Sequence, residues 1–128
     1  MRILVVDDEP DVVESVRLGF TLQWREVDVL GAGTGEAALD VVEREHPDIV
    51  LLDIGLPDLS GYEVARALRS RHGREIYLVA ITGWAQPEDR VKSIAAGIDQ
   101  HIQKPANSDK IRAVIRDAEA QGAARVLT

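Results

Sequence analysis

The run Ile49-Val50-Leu51-Leu52, closed by Asp53, constrains this chain more than any other stretch. Four consecutive aliphatic residues are too few for a helix and too uniformly apolar for a half-exposed strand, so they predict a strand buried on both faces. Asp53 ends it, and the loop that follows carries Gly55, Pro57 and Gly61, residue types that stop a strand and turn the chain. The pattern recurs. Ile3 to Val6 leads into Asp7-Asp8, Leu78 to Ile81 into Thr82-Gly83, and a shorter, more polar run around His101 to Gln103 into Lys104-Pro105. Three acids, a hydroxyl and a lysine thus fall at the ends of strands, and in an open parallel sheet the carboxyl edge is where ligands bind.

Between these runs the spacing turns helical. Pro10 suits a first helical turn, and Val13, Val16 and Phe20 recur at helical intervals in a segment reaching about Gln23. Val27 to Leu30 predicts a second strand, followed by Gly31, Gly33 and Gly35 in a turn, with Thr34 capping a helix that presents Ala38, Leu39 and Val42 and ends before Pro47. Ser60 and Glu63 have capping-box spacing and open a helix with Val64 and Leu68 on one face, which breaks at Gly73. Strand four begins near Ile76. Pro87-Glu88-Asp89 forms a good first turn for a helix that Gly97 stops, and the polar Gln100, His101 and Gln103 mark an edge strand. Asn107 caps a last helix striped by Ile111, Val114, Ile115 and Ala118. Five strands alternating with five helices predict an α/β domain with a parallel sheet and right-handed crossovers, although the pattern alone does not fix the strand order.

A length of 128 residues with 45% apolar and 29% charged side chains fits one globular domain, with no second domain visible. The absence of cysteine excludes disulfides and thiolate metal sites, and no signal peptide, long apolar span or lipidation motif is seen, so a cytoplasmic protein without membrane insertion is expected. A formal charge of -7, from 22 acidic and 15 basic residues, repels nucleic acid phosphates, so no direct nucleic acid binding is expected. Clustered acids at strand ends suit a divalent cation instead.

Taken together, Leu4-Val5-Val6-Asp7-Asp8-Glu9, the Asp53 block ending in Leu56-Pro57-Asp58-Leu59-Ser60-Gly61-Tyr62-Glu63, Thr82-Gly83 and Lys104-Pro105 resemble a response-regulator receiver domain, the phosphoacceptor module of two-component signalling. The resemblance runs from about Arg2 to about Ala120. It implies a flavodoxin-like doubly wound sheet of order 2-1-3-4-5, with the site at the switch point between the first and third strands. It also implies a receiver spanning residues 1–122 and a C-terminal tail at 123–128. By the same resemblance, Asp53 is the phosphoacceptor. Asp7, Asp8, Asp53 and the backbone carbonyl of Gly55 hold Mg²⁺, and Lys104 pairs with a phosphoryl oxygen. Thr82 supplies the hydroxyl that moves on activation, with the small Gly83 beside it, and a cis bond is expected between Lys104 and Pro105. The implied partners are a histidine kinase or histidine phosphotransfer protein upstream and a protein target downstream. That target would be reached through a two-state surface of the fourth helix, fifth strand and fifth helix. The chain is then a signalling phosphoacceptor rather than an enzyme, one that assists its own phosphorylation and dephosphorylation.

The chain departs from the family pattern at His101, where a switch tyrosine or phenylalanine is usual, so a titratable ring stands at that position. Gly55 and Trp84 fall at the two positions that tune water access to the phosphoryl group, and Trp84 reads equally as a lid or as a surface aromatic. Trp24 reads as a packing or partner-contact residue. The string Gly97 to Pro105 also resembles receivers attached to hybrid sensor kinases. Among other classes, a flavodoxin-like electron carrier is disfavoured because Asp7-Asp8-Glu9 would repel a flavin phosphate. A haloacid dehalogenase-type phosphatase is disfavoured because Gly55 stands where the second acid would be. The remaining alternative is an unphosphorylated receiver-like module that only binds proteins.

Overall fold

The computed structural model describes residues 2–23, 27–83, 87–104 and 106–127. Trp24, Trp84, Pro105 and the Phe20 side chain, all singled out above, lie outside what it describes. Strands and helices alternate: β1 (Arg2–Val6), α1 (Pro10–Gln23), β2 (Asp28–Ala32), α2 (Gly35–Glu45), β3 (Ile49–Asp53), α3 (Gly61–His72), β4 (Tyr77–Thr82), α4 (Pro87–Ala96), β5 (Gln100–Gln103) and α5 (Ser108–Leu127). The five strands form one parallel sheet of order β2-β1-β3-β4-β5, the flavodoxin-like order expected. The polar β5 is an edge strand.

Alternation along the strands divides the core in two. Ile3, Val5, Ile49, Leu51, Val79 and Ile81 face one way, where Val16 of α1 and Ile111, Val114, Ile115 and Ala118 of α5 cover them. Leu4, Val6, Val50, Leu52, Leu78 and Ala80 face the other, under Ala38 and Val42 of α2 and Val64 and Leu68 of α3. Every residue of β3 is buried, because two strands flank it and helices cover both faces. That is why the aliphatic run around position 50 shows no polar alternation.

The helix ends follow local chemistry. Thr34 caps α2 by accepting the Ala37 N–H, Ser60 caps α3 by accepting the Glu63 N–H, and Asn107 accepts the Lys110 N–H at the start of α5. Gly73 and Gly97 end α3 and α4 at positive φ, where glycine bears no Cβ penalty. Helix α2 instead closes on His46, a non-glycine residue in the left-handed region at φ 48, just before Pro47.

Two boundaries differ from the sequence reading. Strand β2 begins at Asp28 and continues through Gly31 and Ala32, so Gly31 belongs to the strand rather than to the turn. A Cβ on Gly31 would lie 2.8 Å from Cγ1 of Val13, so this glycine is where α1 crosses close over the sheet. Strand β4 begins at Tyr77, one residue after Ile76.

Candidate functional site

Because β1 and β3 are parallel neighbours in register, with Val6 opposite Leu52, their ends carry Asp7 and Asp53 to the same point of the carboxyl edge. Among the described residues these two are the only buried charged side chains, at 3% and 5% exposure. Asp8 follows Asp7 outward into solvent. The three carboxylates each bring an oxygen within 4.8 Å of the others. Such crowding of like charge, two of the groups dry, is costly unless a cation or proton relieves it.

The two buried acids are held differently. Asp7 Oδ1 accepts the Glu9 N–H at 2.9 Å, whereas Oδ2 is buried and, among the described residues, has no hydrogen-bond partner. Burial raises the Asp7 carboxyl above its ordinary value; the Glu9 N–H opposes this, and the Asp53 charge adds to the rise. A buried acceptor without a donor, beside two more carboxylates, fits the donor set of a hard, oxygen-seeking cation. Asp53 has both oxygens engaged. Oδ1 accepts the Gly55 N–H at 3.0 Å, and Oδ2 lies 3.3 Å from the Lys104 ammonium.

Lys104 is placed by the sheet. Thr82 at the end of β4 pairs with Gln103 of β5, and the Thr82 carbonyl accepts the next amide, that of Lys104, at 2.8 Å. The lysine side chain then reaches back across the edge to Asp53. Asp7 and Lys104 also line an open cleft of about 600 Å³, together with Glu9, Asp11, Val12, Ser15, Ile81 and Ala106.

Asp7, Asp8, Asp53, Gly55 and Lys104 are thus brought together, with Thr82 one residue beyond the β4 partner of Asp53, Ile81. Gly83 is exposed, and among the described residues a Cβ there would meet nothing within 4 Å. His101, in β5, pairs with Ala80 and contacts α4: its Nε2 lies 2.5 Å from Oγ of the fully buried Ser93. Trp84, the suggested access-control residue, lies outside the described residues.

Two participants escaped the sequence reading. Ser93 is one turn from the buried Ala96, so an inward stripe on α4 was the available signal. Asp58 accepts backbone N–H groups from Gly35 at 2.8 Å and Glu36 at 3.1 Å, and no local spacing announces a bond across more than twenty residues.

Parallel strands in this order, with acids at the switch point and a lysine reaching them from the end of the edge strand β5, define a receiver-type phosphosignalling fold. Residues 3–116 match the response regulator receiver domain family, and the chain belongs to it. It is 34% identical over 116 residues to the transcriptional regulatory protein KdpE of Mycobacterium tuberculosis, covering 91% of this chain and 50% of that protein. It is 32% identical over 132 aligned residues to the cell cycle response regulator CtrA of Brucella ovis, covering all of this chain and 56% of CtrA. The chain therefore spans about half the length of the curated relatives it matches. Among solved structures, a CheY-like receiver domain protein from Methanospirillum hungatei superposes with a TM-score of 0.84 at 29% identity, covering 95% of this chain and 96% of that one. DrrB of Thermotoga maritima, an OmpR/PhoB homologue, gives 0.81 at 30% identity, covering 94% of this chain and 53% of that one. Among the described residues, no helix is long and apolar enough to cross a membrane.

Proposed function

We propose that Asp53 is the phosphoacceptor of a two-component response regulator and that its phosphorylation depends on Mg²⁺. The observation that carries this reading is the Asp53 carboxylate itself: buried at a strand end, with a lysine ammonium on one oxygen and two further carboxylates within 4.8 Å. Asp7, Asp8, Asp53 and the Gly55 carbonyl would hold the ion, which supplies charge neutralisation for the incoming phosphoryl oxygens. The orphaned Asp7 Oδ2 supports that role for Asp7.

An Asp53 oxygen attacks phosphorus, an O–P bond forms, and the N–P bond to the donor imidazole breaks, its electron pair leaving with the ring nitrogen. Lys104 now sits on an Asp53 oxygen and has the reach to pair with a phosphoryl oxygen instead, a task that suits a compact point charge. Thr82, at the neighbouring strand end, supplies the hydroxyl that follows the added charge, and His101 on β5 carries the change toward α4 and α5. The donor is a histidine kinase or a histidine phosphotransfer protein, and the output passes to a protein partner through α4, β5 and α5. Residues 1–122 constitute the receiver, and residues 123–128 its tail. The named relatives include a transcriptional regulator, but this chain spans only half of such a protein, and its negative charge makes direct nucleic acid contact by the receiver unfavourable.

Incubation with Mg²⁺ and acetyl phosphate, followed by intact mass, tests the reading. A phosphate adduct is expected only with Mg²⁺ and only when Asp53 is present, with Asp53→Asn as the control. If neither an adduct nor a beryllofluoride-induced change forms, the chain is a constitutive interaction module instead.

A further inference from the structure

The loop between β3 and α3 presents Gly55 beside the Asp53 carboxylate, and its fixation decides how well that part of the site is preorganised. At its base the loop is closed by backbone bonds, Ile54 N–H to the Ile81 carbonyl at 3.2 Å and Gly61 N–H to the Ile54 carbonyl at 3.0 Å. Gly55 itself is exposed and held by its N–H to Asp53 Oδ1. Three residues on, Asp58 leaves its own loop and accepts the first two N–H groups of α2, those of Gly35 and Glu36. The contact is reinforced next door: a Cβ on Gly35 would lie 2.9 Å from Leu59 Cβ and from Val64 Cγ2, so loop, α2 and α3 meet without room for a methyl group. The Gly35 N–H, foremost, holds the Asp58 carboxyl below its ordinary value.

Helix α2 already has a cap. Thr34 Oγ1 serves Ala37 N–H, so α2 does not depend on Asp58 for its start. The loop, by contrast, gains from Asp58 a tether to a rigid element outside itself. We infer that Asp58 is a positioning residue for the metal site: by pinning the β3–α3 loop to the N-terminus of α2, it fixes Gly55 relative to the Asp7, Asp8 and Asp53 carboxylates. The inference rests on the Mg²⁺-dependent reading above and extends it to a residue that touches neither ion nor phosphoryl group.

Asp58→Ala, Asp58→Asn and Thr34→Ala separate the roles. Thr34→Ala weakens the start of the same helix without touching the loop, so it matches the loss of a cap. Mg²⁺ alone is titrated by calorimetry, and exchange of the Gly55 amide is followed by NMR. Asp58→Ala should weaken Mg²⁺ binding about tenfold, the low end for supporting partners of a metal site, and hasten Gly55 exchange. Asp58→Asn, which keeps one of the two accepting oxygens, should fall between Asp58→Ala and wild type in both readouts; should Asp58→Ala fail to fold, an Asp58→Asn protein that matches wild type in both would overturn the inference. Thr34→Ala should stay within about twofold of wild type in Mg²⁺ affinity, as expected for a site without shared partners. Equal effects of Asp58→Ala and Thr34→Ala, or none from Asp58→Ala, would reduce Asp58 to a helix cap and overturn the inference alone. Wild-type protein that takes no Mg²⁺ would instead sink the underlying site reading, and the inference with it.

Discussion

Lys104 Nζ lies 3.3 Å from Oδ2 of Asp53, so the buried carboxylate faces a lysine on one side and two acids on the other. The lysine and a divalent cation therefore compete for the same negative charge. Lys104→Met should raise Mg²⁺ affinity by about fivefold or more, since removing a unit positive charge a few ångströms from the ion relieves a repulsion worth about a kilocalorie or more at protein-surface dielectric. The same change should slow the response to phosphorylation, because the phosphoryl oxygen loses its pairing charge. Calorimetric Mg²⁺ titration checks the first effect; unchanged or weaker binding would place the lysine outside the electrostatics of the site.

Asp7 gives a pH signature in the metal-free protein. Its folded carboxyl is raised above 3.8, chiefly by burial, so the native state holds this proton more tightly than the unfolded chain. Stability from this group is therefore greatest at low pH. It declines as pH rises from about 3.8 through the raised folded value, and the full cost stands above it. Asp7→Asn keeps an acceptor for the Glu9 N–H and removes the buried charge. In EDTA at pH 7 its Tm should exceed that of wild type by about 4 °C, corresponding to ~1 kcal/mol in a domain of this size. Added Mg²⁺ should reverse the ranking, because wild type at a hundredfold excess over Kd gains about 2.7 kcal/mol that the variant lacks. A variant less stable than wild type in EDTA would show that the Asp7 carboxylate is not a burden to the apo fold.

How far the sequence discloses this architecture depends on where the information is local. Strands β1, β3 and β4 were legible because helices on both sheet faces force uniform aliphatic runs, Asp7 and Asp53 because each directly ends such a run, and Lys104 only because it closes the short polar run of the edge strand. The strand order was not, since alternation fits several arrangements and only family resemblance chose among them. Gly31 misled because glycine marks both turns and close helix approaches, and the Val13 methyl group that distinguishes them sits on another element. Asp58 and Ser93 were silent for a similar reason: their partners, Gly35 and His101, are set by tertiary folding.

Gly61 shows how closely the loop folds back on Asp53. A Cβ there would stand 2.7 Å from both the Asp53 carbonyl oxygen and Ile54 Cα, backbone atoms that cannot swing aside. Gly61→Ala should lower stability by about 1–3 kcal/mol, the usual range for overpacking, and also slow adduct formation by shifting the Asp53 backbone. Urea unfolding together with acetyl phosphate labelling measures both; a destabilised variant that labels at the wild-type rate would mean the loop absorbs the methyl group away from Asp53.

At the opposite edge of the sheet, Arg69 of α3 ties together the α3–β4 and α4–β5 connections. It donates to the carbonyls of Gly97, Gly73 and Ile76 at 2.8, 2.9 and 2.6 Å and to Asp99 Oδ2 at 2.6 Å, while that oxygen also accepts the Leu78 N–H. Both side chains of the ion pair are about 15% exposed, and breaking it leaves the nearly buried Asp99 carboxylate with the Leu78 N–H and the exposed Arg74 guanidinium at 3.5 Å. Arg69→Met should cost about 3 kcal/mol in urea unfolding. Mg²⁺ affinity should not change, because the strands separate this clamp from the acids. A large loss of Mg²⁺ binding in a still-folded Arg69→Met protein would contradict that separation.

His101, the proposed switch residue, has its Nε2 against Ser93 Oγ, a fully buried hydroxyl on α4. Any rotation of the ring away from α4 must break this contact, worth about 1 kcal/mol as a typical net hydrogen bond. Ser93→Ala removes that restraint, so the ring should reach its activated position more readily. In NMR spectra the His101 ring signals of Ser93→Ala should lie, without any phosphoryl mimic, part of the way toward those of beryllofluoride-treated wild type. The His101 titration should also be the same before and after activation in wild type if the ring acts as a mechanical element rather than a pH sensor. Ring signals in Ser93→Ala that match untreated wild type would show that Ser93 does not restrain the switch, and a titration displaced by beryllofluoride would instead assign His101 a proton-linked role.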